Sequence, residues 1–451
     1  MTRTHHWISN GIGLIVIAGV AVTIGVANHR AHAGPPASAA GSPFEGIRAP
    51  GTSPGQLRAT IATARAHLAQ RPVDARAAVV LADALMREAR VSGNPGLAVE
   101  GEQALLRALA DQPADYEARR MLAVVYLSEH RFRDAIDAGR RVRDLRPDDA
   151  WNYGVIGDAH IELGEYDAAF ESFDRMMRLR PNAAAYGRAA YSLELRGRLS
   201  AALDAMRMAA DATSPRDAES LAWHYSQIGD LYLQMGRRAE AEREYRRALA
   251  SFPDHPFAQR GLARAAESRG DLPAAIAIYR AMMATAPSPD IAAKLGELLE
   301  ASGDRAAAER SYALAESGWR FDAPQPAALA RFLAEHGRDL EEAVRLAEGA
   351  AAERHDIFTD DALGWCYFKV GRIDDASTAM KAALRTGTTD RTVLYHAAAI
   401  RSALGDRAAA RRLATRALRA DATFDVRLAP ALRALLERCD RPTTQRAGAR
   451  P

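Results

Sequence analysis

The chain has 451 residues, 26% of them charged and 6% aromatic, with a formal net charge of +3. That length suits two or three closed domains or one elongated array. The even mixture of acidic and basic residues excludes wholesale disorder, and it excludes a basic stripe of the kind that tracks a phosphate backbone. Arginine carries nearly all the positive charge, because Lys294, Lys369 and Lys381 are the only lysines. A GC-rich coding bias accounts for this, and no function follows from it.

In chain order, the first element is the apolar stretch Ile12 to Ala27, which follows Arg3 and precedes Ala31-His32-Ala33, a small-x-small triplet of the kind signal peptidase accepts. Two readings stand for 1–33: a cleaved export signal, or an uncleaved anchor whose 21 residues from Trp7 to Ala27 could span the bilayer. With the usual orientation, amino terminus in the cytoplasm, which the flanking Arg3 and Arg30 leave open, either places the rest of the protein outside the cytoplasm, with membrane contact only through this segment if it is uncleaved. Residues 34–53 are rich in Pro, Gly, Ser and Ala and read as a flexible linker.

Residues 54–112 carry a helix, a Gly-containing break and a second helix, and read as a divergent first unit of a repeat array. Beyond them the glycines Gly164, Gly197, Gly236, Gly270, Gly303, Gly337, Gly371 and Gly405 recur with gaps of 33, 39, 34, 33, 34, 34 and 34 residues, and His130 occupies the same place one unit earlier. Seven residues before each turn stands a small residue: Ala123, Gly157, Ala190, Gly229, Ala263, Gly296, Ala330, Gly364 and Ala398. Five after it stand Ala135, Ala169, Ala202, Ala241, Ala275, Ala308, Ala376 and Ala410, with Ala343 displaced by one. Two helices joined by a short turn approach closely only where the side chains at their crossing are reduced to a hydrogen or a methyl. Larger residues fill the periphery, such as Tyr126 and Tyr232 before the turn and Phe173, Tyr245, Tyr279 and Tyr312 after it. Pro147, Pro181, Pro253 and Pro287 close second helices.

This pattern of small, large, Gly turn, Ala, aromatic and Pro resembles the tetratricopeptide repeat family, most closely over Tyr225 to Pro253 and Asp360 to Leu384. The resemblance implies an all-α fold, a right-handed superhelical solenoid of antiparallel helix pairs, with about ten units. The array proper covers 113–425, residues 426–439 form a capping helix, and 440–451 are a disordered tail. Two departures stand out. Five extra residues around Asp211 to Ser220 lengthen a helix or bulge a loop, and Gly318 to Pro326 lacks the usual terminator and is a place for a kink.

The chain carries no phosphate-binding loop, nucleophile elbow or paired-histidine metal motif. We therefore expect no catalytic residues, no cofactor and no metal. The acidic run Glu353 to Asp361 reads as a helix start, with Asp near the positive end of the dipole. Cys366 and Cys439 lie 73 positions apart, too far for a disulfide in a solenoid whose units touch only their neighbours, so both are expected as free thiols.

What a stacked array offers is a trough lined by its first helices. Positions two, five, nine and twelve of those helices give the candidate groove residues: Trp151, Asp158 and Ile161; Trp223, Asp230 and Leu233; Phe257, Arg260 and Arg264; Phe358, Trp365 and Phe368; and Thr392 and Tyr395. Apolar and aromatic groups in that position suit an extended or helical protein segment. The Lys and Asn clamp that the family uses for C-terminal peptides is not matched. The reading is a non-catalytic interaction scaffold of the cell envelope whose partners are protein or peptide segments. The alternative is a regulatory or assembly subunit of an envelope enzyme or of a secretion or biogenesis complex. Nucleic acid is not expected, because the inner positions carry no basic face. The sequence leaves the oligomeric state open.

Overall fold

A computed structural model describes residues 54–441, apart from 93, 95, 323 and 324. The predicted signal or anchor, the linker up to 53 and the tail from 442 lie outside the described residues. No helix among the described residues is long and apolar enough to cross a membrane.

The described chain is helical and has no strand. A leading helix, α1 (Pro54–Gln70), packs on α2 (Ala75–Ser92), which pairs with α3 (Gly96–Asp111). Residues 54–112 thus hold three helices, one more than a repeat unit. Nine further hairpins follow: α4 (Tyr116–Ser128) with α5 (Phe132–Leu145), α6 (Ala150–Glu162) with α7 (Tyr166–Leu179), and α8 (Ala183–Leu195) with α9 (Leu199–Asp211). Then come α10 (Ala218–Gln234) with α11 (Arg238–Ser251), α12 (Pro256–Ser268) with α13 (Leu272–Thr285), and α14 (Pro289–Ala301) with α15 (Arg305–Ser317). The last three are α16 (Pro326–His336) with α17 (Leu340–Glu353), α18 (Ile357–Lys369) with α19 (Ile373–Ala383), and α20 (Arg391–Ala403) with α21 (Arg407–Leu418), closed by α22 (Leu428–Asp440). First helices carry even labels and second helices odd ones.

Local chemistry sets the boundaries. Seven of the nine first helices from α4 on start on side-chain caps: Asp115, Asp149, Asn182, Asp217, Ser288, Asp356 and Asp390 each accept a backbone N–H of the first turn, while α12 and α16 start on Pro256 and Pro326 instead. First helices end at the ruler glycines, every one of which has positive φ, from +63° at Gly337 to +92° at Gly303. The bonds at Gly164 show the closure: its N–H reaches Ile161 O (3.0 Å) and Glu165 N–H reaches His160 O (2.9 Å), a Schellman arrangement. His130 adopts φ +60° in the same place. The five extra residues lengthen α10, which runs 17 residues where α6, α8 and α12 run 13. At the second departure, α15 passes into a single π turn, Gly318–Asp322, which buries Trp319.

The small positions do more than admit a neighbouring backbone. A Cβ on Gly157 would lie 2.4 Å from the Phe173 ring, one on Gly229 2.4 Å from Tyr245, and one on Gly296 2.4 Å from Tyr312. In each of these hairpins the aromatic ring of the second helix occupies the space of the missing side chain of the first. Tyr245 meets Gly261 of the next unit as well, where a Cβ would approach within 2.2 Å. At Gly364, whose second helix offers Met380 in place of an aromatic, the nearest atom is the Ala376 carbonyl at 3.3 Å, so there it is backbone that needs the space.

Units do not touch only their neighbours. The turn at Gly164 meets the loop before α18: His355 N–H donates to Leu163 O (3.3 Å) and Ile357 N–H to Tyr166 Oη (2.9 Å). At Gly197 the neighbour is Gly387 of the loop before α20, whose carbonyl a Cβ would approach to 2.8 Å. At Gly236 it is Ala420, at 2.0 Å from a Cβ, while Arg391 donates to Gln234 O (2.9 Å). Three successive loops thus seat on three successive turns. By contrast, a Cβ on Gly303, Gly337, Gly371 or Gly405 would meet nothing within 4 Å. Cys366 and Cys439 are both free; Cys366 is buried, its Sγ 3.5 Å from Ala330 O, and burial pushes its thiol up to about 12.

Candidate functional site

The inward positions of the first helices divide into three stretches. Over α12, α14 and α16 they are crossed by the chain itself, by the segment 419–427 between α21 and α22, here termed the strap, which leaves a cavity of about 370 Å³ bordered by Arg260, Arg264, Arg331 and Arg391. These residues lie past α21, the last helix of the paired array. Thr423 Oγ1 donates to Ser268 O (2.9 Å), Ser268 Oγ to Asp421 (2.5 Å), and Val426 N–H to Glu267 Oε1 (2.9 Å). Lys294 bridges Asp425 (2.6 Å), Glu267 (2.8 Å) and Glu297 (3.0 Å). Its ammonium is held well above the usual lysine range by those carboxylates, against the opposing effect of burial. Arg427 reaches Glu335 (2.8 Å), Glu297 (3.4 Å) and His336 Nε2 (3.2 Å).

Glu297, Glu335 and His336 are the one group among the described residues whose ligand atoms come close enough to share a cation. The Arg427 guanidinium already sits against all three. Burial and that guanidinium push His336 down to about 4.

At the second stretch, around α18 and α20, the wall is packed. Trp365 is buried, stacked on His396 at 3.9 Å and on Phe368 at 5.0 Å, with Tyr395 5.6 Å away. The structure therefore places Trp365 in the core and not on an open wall, because His396 of the next first helix lies over its face. Phe368 and Tyr395 are half-buried around it. Phe358 is exposed and lines a separate cavity of about 640 Å³ with Arg131, Arg331 and Arg354. Ile161 is covered from a distance by Ile357.

The third stretch, α6 to α10, stays open. Between α8 and α10 lies a cavity of about 740 Å³ bordered by Asp158, Gly187, Arg188, Tyr191, Glu194 and Trp223, with Thr213, Ser214, Asp217 and Ser220 of the insertion at its rim. Arg188 grips Asp158 with two nitrogens, Nε at 2.9 Å, which neutralises both. Glu194 accepts a bond from Gln234 Nε2 (2.6 Å), and no arginine or lysine among the described residues is in salt-bridge contact with it. Burial first, then the nearby Asp230 and Asp390 carboxylates, push Glu194 up to about 7. Tyr191 is exposed in this wall, and burial of its hydroxyl together with Glu162 and Glu194 raises its pKa.

The remaining groove candidates are engaged within the chain. Trp151 lies under the Arg120 guanidinium at 4.2 Å. Asp230 accepts bonds from Tyr245 Oη (2.6 Å) and Arg264 (3.0 Å), which is the neighbouring-carboxylate pairing open to Arg264. Arg260 lies over Phe257 at 5.1 Å. Asp158 and Trp223 thus share one cavity, while Phe257, Arg260, Trp365, Phe368 and Tyr395 belong to other parts of the wall. Tyr191 and Glu194 were not among the predicted residues, although positions nine and twelve of α8 fall on them.

A tetratricopeptide repeat family model matches residues 100–150, 155–217 and 227–289. Among solved structures, the chain is similar to PilW, a widely conserved type IV pilus biogenesis factor, at 21% identity over 46% of this chain and 94% of that one, with a TM-score of 0.39. It is similar to the human IFIT1 dimer with PPP-AAAA at 12% identity over 81% of this chain and 87% of that one, TM-score 0.47. A third is pilF of Pseudomonas aeruginosa, at 18% identity over 49% and 97%, TM-score 0.36. No curated protein matches the chain.

Proposed function

We propose that this chain, which belongs to the tetratricopeptide repeat family, is a non-catalytic scaffold that holds a segment of another protein in the open part of its trough. The observation that carries the reading is the cavity between α8 and α10, about 740 Å³ with exposed Tyr191 and half-buried Trp223 in its wall, on a face whose neighbouring stretch the chain crosses with its own strap. Aromatic anchors in a concave wall are what protein segments use for affinity. The apolar stretch Ile12 to Ala27 supports a place in the cell envelope, as an exported or membrane-anchored protein.

A photo-crosslinking residue at Trp223, with a control at the exposed Leu314 of α15, tests the reading in cells that make the protein. A protein adduct from position 223 and none from 314 is the expected result. Equal adducts from both positions, or none from 223, would remove the trough as a binding surface.

A further inference from the structure

We infer that the cavity between α8 and α10 selects a protein segment that presents an arginine or lysine side chain, an inference that rests on the trough reading and names its partner's chemistry. Two independent observations carry it. The first is electrostatic. Of the carboxylates that border the cavity, Asp158 is answered by Arg188, and Asp217 by Arg87 of α2 at 3.1 Å. Glu194 has, among the described residues, only the neutral Gln234 amide as a bonded partner (2.6 Å). Behind it the Asp230 and Asp390 carboxylates push its pKa up and the Arg264 guanidinium pulls it down, but that guanidinium is bonded to Asp230 and not to Glu194. A carboxyl in a recessed wall with no ion-pair partner avoids the cost of its charge by keeping a proton, and a ligand cation bonded to it would stabilise the ionised form instead.

The second observation is steric. Gly187 lies in the interior of α8, where glycine disfavours the helix by about 1 kcal/mol relative to alanine. It does not have positive φ, and a Cβ there would meet nothing nearer than 3.9 Å, at Trp223 and His224. At Gly157 and Gly229 an aromatic ring of the same hairpin explains the missing side chain; at Gly187 nothing in the described chain does. Together with Ala183 and Ala184 it leaves a floor without bulk beside the Trp223 indole. An aromatic face beside a carboxylate suits a guanidinium or ammonium on an aliphatic stem, which buries its methylenes and places its charge on the acid.

The test is selection from a randomised 12-residue peptide library displayed on phage, against the immobilised full chain and against its Glu194→Gln variant. The expected outcome is enrichment of Arg or Lys at one fixed position with the wild type and its loss with the variant. A synthetic copy of the selected peptide should bind about tenfold more weakly when that basic residue is replaced by Gln. This peptide-side substitution needs no protein variant, so a folding defect in Glu194→Gln does not shield the inference. Gly187→Leu, which fills the floor, should abolish binding of the same peptide. Peptides selected without a basic position, or a basic preference unchanged in Glu194→Gln, overturn the inference while leaving the trough reading intact. Failure to select any peptide overturns both.

Discussion

Gly236 and Gly303 pose a controlled comparison, because they occupy the same turn position with φ +75° and +92° but differ in what lies beyond. Replacing either by alanine forces an L residue into the left-handed region, at about 1–2 kcal/mol. At Gly303 nothing else changes, since a Cβ there meets no atom within 4 Å. At Gly236 the Cβ would sit 2.0 Å from the carbonyl oxygen of Ala420, so the start of the strap must move by roughly an ångström or more to restore contact distance. That movement strains the bonds next along the strap, Ser268 to Asp421 and Thr423 to Ser268 O, each worth about 0.5–1.5 kcal/mol. Gly236→Ala should therefore be about 1–3 kcal/mol more destabilising than Gly303→Ala. Denaturant unfolding followed by circular dichroism measures the difference, and amide hydrogen exchange locates it. Residues 419–428 should lose protection in Gly236→Ala and keep it in Gly303→Ala. Equal effects of the two substitutions, with unchanged exchange in the strap, would refute the seating of that loop on the turn.

Gly157→Ala should cost about 1–3 kcal/mol by pressing a methyl into the Phe173 ring, and adding Phe173→Leu should recover part of that loss in a double-mutant cycle. Lys294→Met removes the cation shared by Glu267, Glu297 and Asp425 and should destabilise the protein by about 3–5 kcal/mol, with faster hydrogen exchange over 421–428 as the local signature. Glu194 contributes a pH dependence of defined sign. The folded protein holds its proton up to about 7, whereas the unfolded chain releases it near 4.5, so the stability this group contributes is fully present below about 4.5 and is lost as pH rises through 7. With cavity water screening the carboxylate, the loss should be about 2–3 kcal/mol. The groups facing it are Tyr191, Gln234, Asp230, Asp390 and Arg264. Melting temperatures at pH 5 and pH 8 should converge in Glu194→Gln, and an unchanged pH slope would assign the proton elsewhere.

The period was legible because most units repeat one local solution: an Asp, Asn or Ser cap, a small residue at the helix crossing, and a glycine at positive φ. These requirements act within about 34 residues, so they leave a mark in unit after unit. The seating of loops on turns leaves no such mark. Gly164 and Gly236 need glycine for two reasons and Gly303 for one, yet the letter is the same. The approach of residues 192 and 184 positions apart depends on how much each unit rises along the superhelix, which no single unit encodes. Trp365 shows the same limit on a smaller scale. Its register position faces inward, but His396 of the following unit lies against it at 3.9 Å. Tyr191 and Glu194 are the opposite case. The rule that selects Trp151 and Asp158 on α6 selects them on α8, and their significance emerges only when the cations around each carboxylate are counted in space.

The insertion and the strap together explain why one stretch of wall is open. From α12 onward, the inward carboxylates Glu267, Glu297 and Glu335 are answered by Lys294 and Arg427, so those charges are paired within the chain. On α8 the residue in the register place of Glu267, three before the turn glycine, is Glu194, and no strap residue bonds to it. The extra turn of α10 sets Asp217 and Ser220 at the rim, and Arg87 of the first hairpin holds that turn through Asp217 and Glu219 (3.1 and 3.5 Å). A rim tied to a distant unit by a largely buried guanidinium does not have to be ordered when a guest arrives, which lowers the entropy lost on binding. The same carboxyl chemistry that pins the strap over α12 to α16 is therefore presented, bonded to a neutral amide and in a rigid frame, to whatever basic side chain enters beside Trp223.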